Sequence, residues 1–85
     1  MRNFQSSLTE LRALRLDANA IEDLSPLETL PNLVWLHVSE NRLTDLDGIQ
    51  SCETLGEVLA ARNSVVDISA LTTLTGLESL DLSDN

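Results

Sequence analysis

The chain repeats itself with a period of 22 residues. Three positions of this period are apolar in every copy, and they begin at Leu11, Leu14 and Leu16. A fourth position is always asparagine: Asn19, Asn41, Asn63 and Asn85. Self-similarity at such a period is typical of architectures that stack one small unit on the next and bury a continuous core between neighbours. The chain is therefore expected to fold as a stack of coils.

The period divides the chain into three full copies and one partial copy. The full copies are 11–32, 33–54 and 55–76, and the partial copy is 77–85. Residues 1–10 align with the second half of a copy, so we expect them to form a partial N-terminal capping half-coil. A chain of 85 residues is only marginally able to build an ordinary globular core, which also favours stacked thin layers.

Each copy contains a short segment that alternates at the period of a β-strand. Leu14 and Leu16 alternate with Ala13, Arg15 and Asp17, which predicts a strand whose leucines point inward. The step between copies leaves room for one crossover, so the equivalent strands should lie parallel in one sheet. The predicted strands are 13–17, 35–39, 57–61 and 79–83.

The residues after each strand predict how the coil turns. An asparagine side chain carries both a donor and an acceptor, so the asparagine column can satisfy unpaired backbone groups from coil to coil as a ladder. Farther on, Ser25 followed by Pro26 carries helix-start signals, Asp47 followed by Gly48 carries similar ones, and Ser69 a weaker version. The coil is too short for long helices, so each signal predicts a single 3₁₀ turn with Ser25 and its equivalents as the cap.

Taken together, the pattern Leu-x-x-Leu-x-Leu-x-x-Asn-x-Leu-x-x-Leu resembles the leucine-rich repeat. The resemblance runs from Leu8 to Asn85 and is to the short-repeat class, seen in internalins and in phosphatase-regulatory leucine-rich proteins. It implies an α/β repeat fold, a right-handed solenoid of about four coils. Parallel strands would form its concave face and short 3₁₀ turns its convex face. It also implies a protein-binding scaffold, although the fold alone names no partner.

The charge of the chain limits its partners. Fourteen acidic residues stand against five basic ones, all arginine, and the net charge is −9. This disfavours nucleic acid and anionic membranes and favours a partner protein with a basic surface. No apolar stretch approaches the roughly 18 residues of a membrane helix, and the first residues do not resemble a secretory leader. We therefore expect a cytoplasmic location, although a leader could have been removed.

The sequence gives little sign of a metal or cofactor site. Asp23, Asp45 and Asp67 form a column, which we interpret as turn chemistry in which backbone N–H groups bind the carboxylates. The alternative is calcium held by Asp45, Asp47 and Asp67, which is disfavoured because no loop has the dense ligand spacing that calcium requires. The single cysteine, Cys52, occupies a leucine position and should be a buried thiol. No cofactor or metal is predicted.

The outward positions of the strands are the candidate binding surface. Most carry small or charged residues, as a solvated sheet face should. A tryptophan at such a position has no core to fill, which favours a contact residue; the alternative is that Trp35 folds over Ala13 and the stems of the arginines and merely shields the sheet. The predicted partner-binding residues are Trp35, His37, Leu59, Glu57, Arg15 and Asp81.

His37 is predicted to be neither a metal ligand nor a catalytic base. No second histidine exists, and the only acidic residue in its row of the sheet is Asp81, two strands away. A pH-dependent contact is left open. More generally, the sequence shows no nucleophile–base pair, metal cluster or glycine-rich phosphate loop, and a thin solenoid offers no deep pocket. We therefore do not expect an enzyme.

The last strand suggests an alternative role. Leu77, Leu80 and Leu82 would form an apolar layer that nothing in this sequence follows. Either the chain is part of a longer array or something covers this layer. If the chain is complete, we expect end-to-end self-association through these leucines. The alternative to a protein-binding module is therefore a structural unit that assembles through its end.

Overall fold

A computed structural model describes residues 9–85, so the predicted capping half-coil lies outside the described residues except for Thr9 and Glu10. The described residues form one four-stranded parallel sheet in which the strands lie side by side in chain order. The strands are β1 (Ala13–Arg15), β2 (Trp35–His37), β3 (Glu57–Leu59) and β4 (Ser79–Asp81). Each residue pairs with the residue one period later, as in Leu14 with Leu36. The predicted stacked coils and parallel sheet are confirmed.

The strands begin at the predicted residues but end two residues early. Backbone pairing nevertheless continues past them, since Leu16 N–H donates to the carbonyl of His37 at 2.7 Å and Ala18 N–H donates to Ser39 at 3.0 Å. The chain then leaves the sheet through a residue in the left-handed region, at φ values of 55–58°. The four residues in this conformation are Ala18, Glu40, Arg62 and Asp84. The inter-coil pairing thus extends to the predicted end of each strand, and the left-handed residue comes directly after it.

The core runs along the middle of the stack, between the sheet and the return side of the coils. Leu33, Leu36, Leu43, Leu46 and Ile49 are fully buried. Their equivalents nearer the two ends of the stack differ: Leu24 and Leu27 are buried, Leu14 and Leu77 are partly buried, and Ile68 and Leu80 are exposed. Complete burial of one such side chain contributes about 1.5–3 kcal/mol, so the central coils carry most of the hydrophobic stabilisation.

The return side of the stack contains two 3₁₀ helices, Ser25–Thr29 and Ser69–Thr73. The third predicted turn, at Asp47 and Gly48, is not helical, and that prediction was wrong. Gly48 has a φ of 115°, far from helical values, and its N–H donates to the side-chain oxygen of Gln50 at 2.7 Å. A glycine at this position therefore allows a turn that the equivalent proline and alanine do not make.

The aspartate column closes these turns, as expected. Asp23, Asp45 and Asp67 each accept the backbone N–H two residues later, at 2.9, 3.0 and 2.9 Å. The prediction that Ser25 caps its helix was wrong: the helix begins at Ser25, whose N–H and hydroxyl both donate to Asp23. These bonds, the backbone one foremost, lower the pKa of Asp23 below its usual 3.8, and Ser69 acts on Asp67 in the same way.

The asparagine ladder is also confirmed. Asn63 accepts the N–H of Leu43 at 3.0 Å and donates to the carbonyl of Val38 at 3.0 Å, both in the preceding coil. Asn41 makes the equivalent bonds to Ile21 and Leu16. Within the described part of the chain, no buried side-chain nitrogen or oxygen lacks a hydrogen-bond partner. The ladder therefore fixes the register of successive coils and, with it, the arrangement of the outward side chains.

Candidate functional site

Trp35 is the most prominent side chain on the concave face of the sheet. Its neighbour Leu36 points into the core and is fully buried, so the alternation of β2 places Trp35 outward, where 55% of it is exposed. Its partners in register are Ala13 on β1 and Glu57 on β3. The small side chain of Ala13 leaves one side of the indole uncovered.

Two shallow depressions adjoin Trp35, and both include Ala13. One is lined by Ala13, Leu14, Arg15, Trp35 and His37. The other is lined by Arg12, Ala13, Val34 and Trp35. The surface beside the indole therefore combines an apolar floor with one arginine on each flank. Reasoning from the sequence missed Arg12 and Val34, which precede the strands; their shared position in the 22-residue period was the signal that could have found them.

His37 has an acidic partner that the sequence did not reveal. Its Nε2 lies 2.7 Å from Oε2 of Glu57 on the adjacent strand, and the two side chains are 17% and 32% exposed. The sequence analysis considered only the row of His37, in which Asp81 is the acidic residue, and so did not include Glu57. Glu57 lies one strand over and two residues back, a diagonal position that long side chains reach. The His37–Glu57 pair lies on the β3 side of Trp35.

Leu59 and Asp81 lie farther along the same row. Leu59 pairs in register with His37 on one side and Asp81 on the other, and it is partly buried. Asp81 is exposed on β4 and accepts hydrogen bonds from the hydroxyl and the N–H of Ser83, at 2.7 and 2.9 Å. These bonds, the hydroxyl foremost, lower its pKa below 3.8. Asp81 does not reach the Trp35 depressions.

Arg15 lies at the other end of this row, on β1. Among the described residues, Arg15 makes one ion pair, a long one to Asp17 at 4.0 Å, and 75% of its side chain is exposed. The structure therefore brings Arg15, Trp35, His37 and Glu57 together, with Leu59 beside them. Asp81 lies at the far edge of the face.

Other exposed apolar side chains lie at the β4 end of the stack. Ile68 is 51% exposed and Leu80 is 44% exposed, although both occupy columns that are buried in earlier coils. Leu77 and Leu82 are partly buried beside them. Val66 is 89% exposed on the return side, away from the sheet. The predicted apolar end layer is thus present, and its self-association stays a prediction.

Three other features concern possible chemistry. In residues 9–85 no group of three or more His, Cys, Asp or Glu side chains is arranged to hold a metal ion. Cys52 is fully buried, and its sulfur lies 3.5 Å from the carbonyls of Leu27 and Leu30. Burial raises the pKa of this thiol, and a hydrogen bond from Ser51 opposes the shift. The described chain has no helix of the length and apolarity that crossing a bilayer takes.

Comparison with characterised sequences finds leucine-rich relatives. The chain is 39% identical over 84 residues to leucine-rich repeat-containing protein 56 from Homo sapiens, which covers 98% of this chain and 16% of that protein. The proteins of the same name from Rattus norvegicus and Mus musculus are also 39% identical over 84 residues. The chain thus spans less than one fifth of the length of these relatives, at 15–16%. No protein-family model matches the chain.

Comparison with solved structures finds internalins of Listeria monocytogenes. Internalin C2 superimposes with a TM-score of 0.86 at 31% sequence identity, over 95% of this chain and 37% of that one. A second internalin, InlF, gives a TM-score of 0.82 at 34% identity, over 94% of this chain and 24% of that one. The coil geometry is therefore shared along almost the whole length of this chain.

Proposed function

Because the chain is a leucine-rich repeat protein, we propose that it acts as a protein-interaction module that binds a partner protein on the concave face of its sheet. The observation that carries the proposal is Trp35, a large aromatic side chain that is 55% exposed at the centre of an ordered face. Tryptophan is among the residues most enriched at energetic hot spots of interfaces. Arg15, His37, Glu57, Leu59 and Asp81 would complete the contact surface.

The structure favours contact over the alternative that Trp35 merely shields the sheet. Shielding would require Trp35 to lie against its neighbours, yet its partner Ala13 has a small side chain and more than half of the residue's surface is exposed. The apolar floor of the adjoining depression offers a place for an aliphatic side chain of a partner. Removing such a contact from water contributes about 25 cal/mol per Å² of apolar surface.

The charge of the chain limits the class of partner that we propose. With a net charge of −9, the protein would attract a protein surface that carries basic groups, and it would repel nucleic acid and anionic membranes. We propose binding alone, with no enzymatic activity and no cofactor.

The test compares three forms of the chain in pull-downs and titrations: wild type, Trp35→Ala and Val66→Ala. Val66 is a matched control because it is 89% exposed but lies off the sheet. Loss of Trp35 should weaken partner binding by about 2 kcal/mol or more, roughly thirtyfold, while leaving the unfolding temperature unchanged. Val66→Ala should bind as wild type does. Undiminished binding by Trp35→Ala would refute the choice of face.

A second candidate function rests on the exposed apolar layer at the β4 end. Leu80 is 44% exposed and Ile68 is 51% exposed, whereas their equivalents in the second coil, Leu36 and Leu46, are fully buried. A structural unit could cover this layer by self-association through Leu77, Leu80 and Leu82. Sedimentation over a wide concentration range separates the two candidates, since self-association predicts a concentration-dependent mass. If the chain is a monomer at every concentration and binds its partner through Trp35, only the protein-interaction module is supported.

A further inference from the structure

Two rows of residues, one within the strands and one at their start, run from β1 to β4 in the same charge order. The first row is set by strand register and reads Arg15, His37, Leu59, Asp81. The second lies one residue before the strands and reads Arg12, Val34, Gly56, Glu78. Backbone hydrogen bonds join each member of this second row to the next, at 2.6, 2.9 and 2.8 Å. Both rows therefore begin with arginine at β1 and end with a carboxylate at β4.

The basic end of the face has charge available for a ligand. Arg12 is exposed and has no ion pair within the described residues, although it lines the depression beside Trp35. Arg15 has only the 4.0 Å contact with Asp17, one oxygen of which also accepts the N–H of Ser39 at 2.9 Å. Neither guanidinium is neutralised, so an acidic group of a ligand could pair with either.

The carboxylates at the β4 end of the two rows are also exposed, so a ligand can reach them. Glu78 is exposed, and Asp81 is exposed and held by Ser83. The pKa of Asp81 is lowered, so this carboxylate remains charged throughout the neutral range. By contrast, Arg62, beyond the ends of the strands, is already paired with Glu40 at 3.3 Å and Asp84 at 3.6 Å. Within the two rows, the charged groups that lack a close ion pair among the described residues therefore lie at the β1 and β4 ends.

The dimensions of the face limit what can satisfy both ends together. Neighbouring strands lie about 4.8 Å apart, so the arginines and the β4 carboxylates are separated by three spacings, or roughly 14 Å. An extended peptide rises about 3.3 Å per residue and spans this distance with about four residues. Trp35 lies one strand from the arginines, so an apolar residue of the ligand would fall between its acidic and basic groups.

We propose that the concave face binds an extended peptide segment of the partner that carries an acidic side chain over Arg12 and Arg15, an apolar side chain on Trp35, and basic side chains over Glu78 and Asp81. This rests on the proposed function and adds the charge order of the ligand. A uniformly basic segment would satisfy only the β4 end and would place like charge against the arginines. The charge order thus fixes the direction in which the segment lies.

The test begins with a display selection of random peptides, about twelve residues long, against the whole chain. Bound peptides are then titrated by isothermal calorimetry, which also measures the Trp35→Ala variant, and in wild type by the fluorescence of Trp35, the only tryptophan of the chain. Enriched peptides should show an acidic group and a basic group separated by an apolar residue. Arg12→Glu should weaken their binding about tenfold. Arg42→Glu is the matched control, because Arg42 is also exposed and unpaired within the described residues but lies outside both rows.

A second substitution isolates the proposed pairing. Replacing the acidic residue of the peptide by glutamine should make its binding insensitive to Arg12→Glu, as a double-mutant cycle requires. Peptides that need Trp35 but respond equally to Arg12→Glu and Arg42→Glu would overturn the charge order and leave the proposed face intact. Peptides that bind without Trp35 would overturn both proposals. Enrichment of basic peptides without an acidic group, or no enrichment at all, would also overturn the charge order.

Discussion

The asparagine ladder makes a quantitative prediction, because one asparagine bonds between coils and another only within its own. Asn63 accepts the N–H of Leu43 and donates to Val38, both in the preceding coil. Among residues 9–85, Asn19 donates to Leu16 and Asp17 of its own coil and makes no bond between coils, and it is exposed. Asn63→Ala should therefore destabilise the fold far more than Asn19→Ala does.

The magnitude follows from the groups that lose a partner. In Asn63→Ala the buried N–H of Leu43 has no second acceptor among the described residues, and an orphaned buried donor costs about 1–3 kcal/mol. The carbonyls of Val38 and Ala60 lose one donor each but keep another, from Asn41 and Asn85 respectively, so each adds roughly 0.5–1 kcal/mol.

Together these terms predict a loss of about 3 kcal/mol for Asn63→Ala. For Asn19→Ala, water can replace the two exposed bonds, and we expect a loss of about 0.5–1 kcal/mol. Domains are stable by about 0.05–0.15 kcal/mol per residue, so the Asn63 variant would lose a large part of the total for 85 residues.

The assay is urea unfolding followed by circular dichroism and by Trp35 fluorescence, with both variants measured beside wild type. Asn63→Asp is a useful third variant, because it keeps the acceptor for Leu43 but places a carboxylate against the carbonyls of Val38 and Ala60. It should be at least as destabilised as Asn63→Ala at neutral pH. Losses for Asn63→Ala and Asn19→Ala that agree within about 0.5 kcal/mol would refute the ladder as a source of stability.

Three further predictions concern the turns. Gly48→Ala should lower the free energy of unfolding in urea by about 2–4 kcal/mol, because a Cβ at φ 115° would overlap the carbonyl of Leu24. Gly76→Ala is the control and should be nearly neutral, since a Cβ there would meet nothing within 4 Å. Equal losses for the two variants would contradict this prediction. Ala18→Gly should raise the free energy of unfolding by about 0.5–1 kcal/mol, because Ala18 has a φ of 57°, at which glycine is unstrained. A lower free energy of unfolding for this variant would contradict the prediction. Asp67 has a folded-state pKa below 3.8, so its charged form stabilises the fold above that pH and this contribution is lost as the pH falls through the folded pKa. Asp67→Asn should therefore lose less stability than wild type when acidified below pH 3.8, as thermal melts across pH would show, and parallel acid profiles would contradict the assignment.

The positions of the strands and of the ladder could be predicted from the sequence because each depends on one residue per coil. The starts of β1 and its equivalents, the inward leucines and the bonds of Asn41 and Asn63 all follow from the 22-residue period. The 22-residue period predicts those structural features that all coils share. It therefore predicts the scaffold well.

Features that occur in a single coil could not be predicted in this way. The left-handed turn at Gly48 belongs to one coil alone and breaks the helical pattern of its neighbours. The His37–Glu57 contact joins different columns, and it depends on how two long side chains extend across adjacent strands. The unpaired state of Arg12 likewise depends on which charges lie near it in three dimensions.

The distinction between shared and local features also bears on function. The register of the face is held by inward residues and by the ladder, and among the described residues no hydrogen bond of the ladder involves the outward side chain of Trp35. An outward residue can therefore change without shifting the strand spacing, so variants at Trp35 and at Asn63 should separate binding from stability. His37 and Glu57 are less independent than Trp35, because this pair joins the side chains of two outward residues on adjacent strands at 2.7 Å. By fixing the β3 side of Trp35, this pair would reduce the conformational freedom that the face loses when a partner binds.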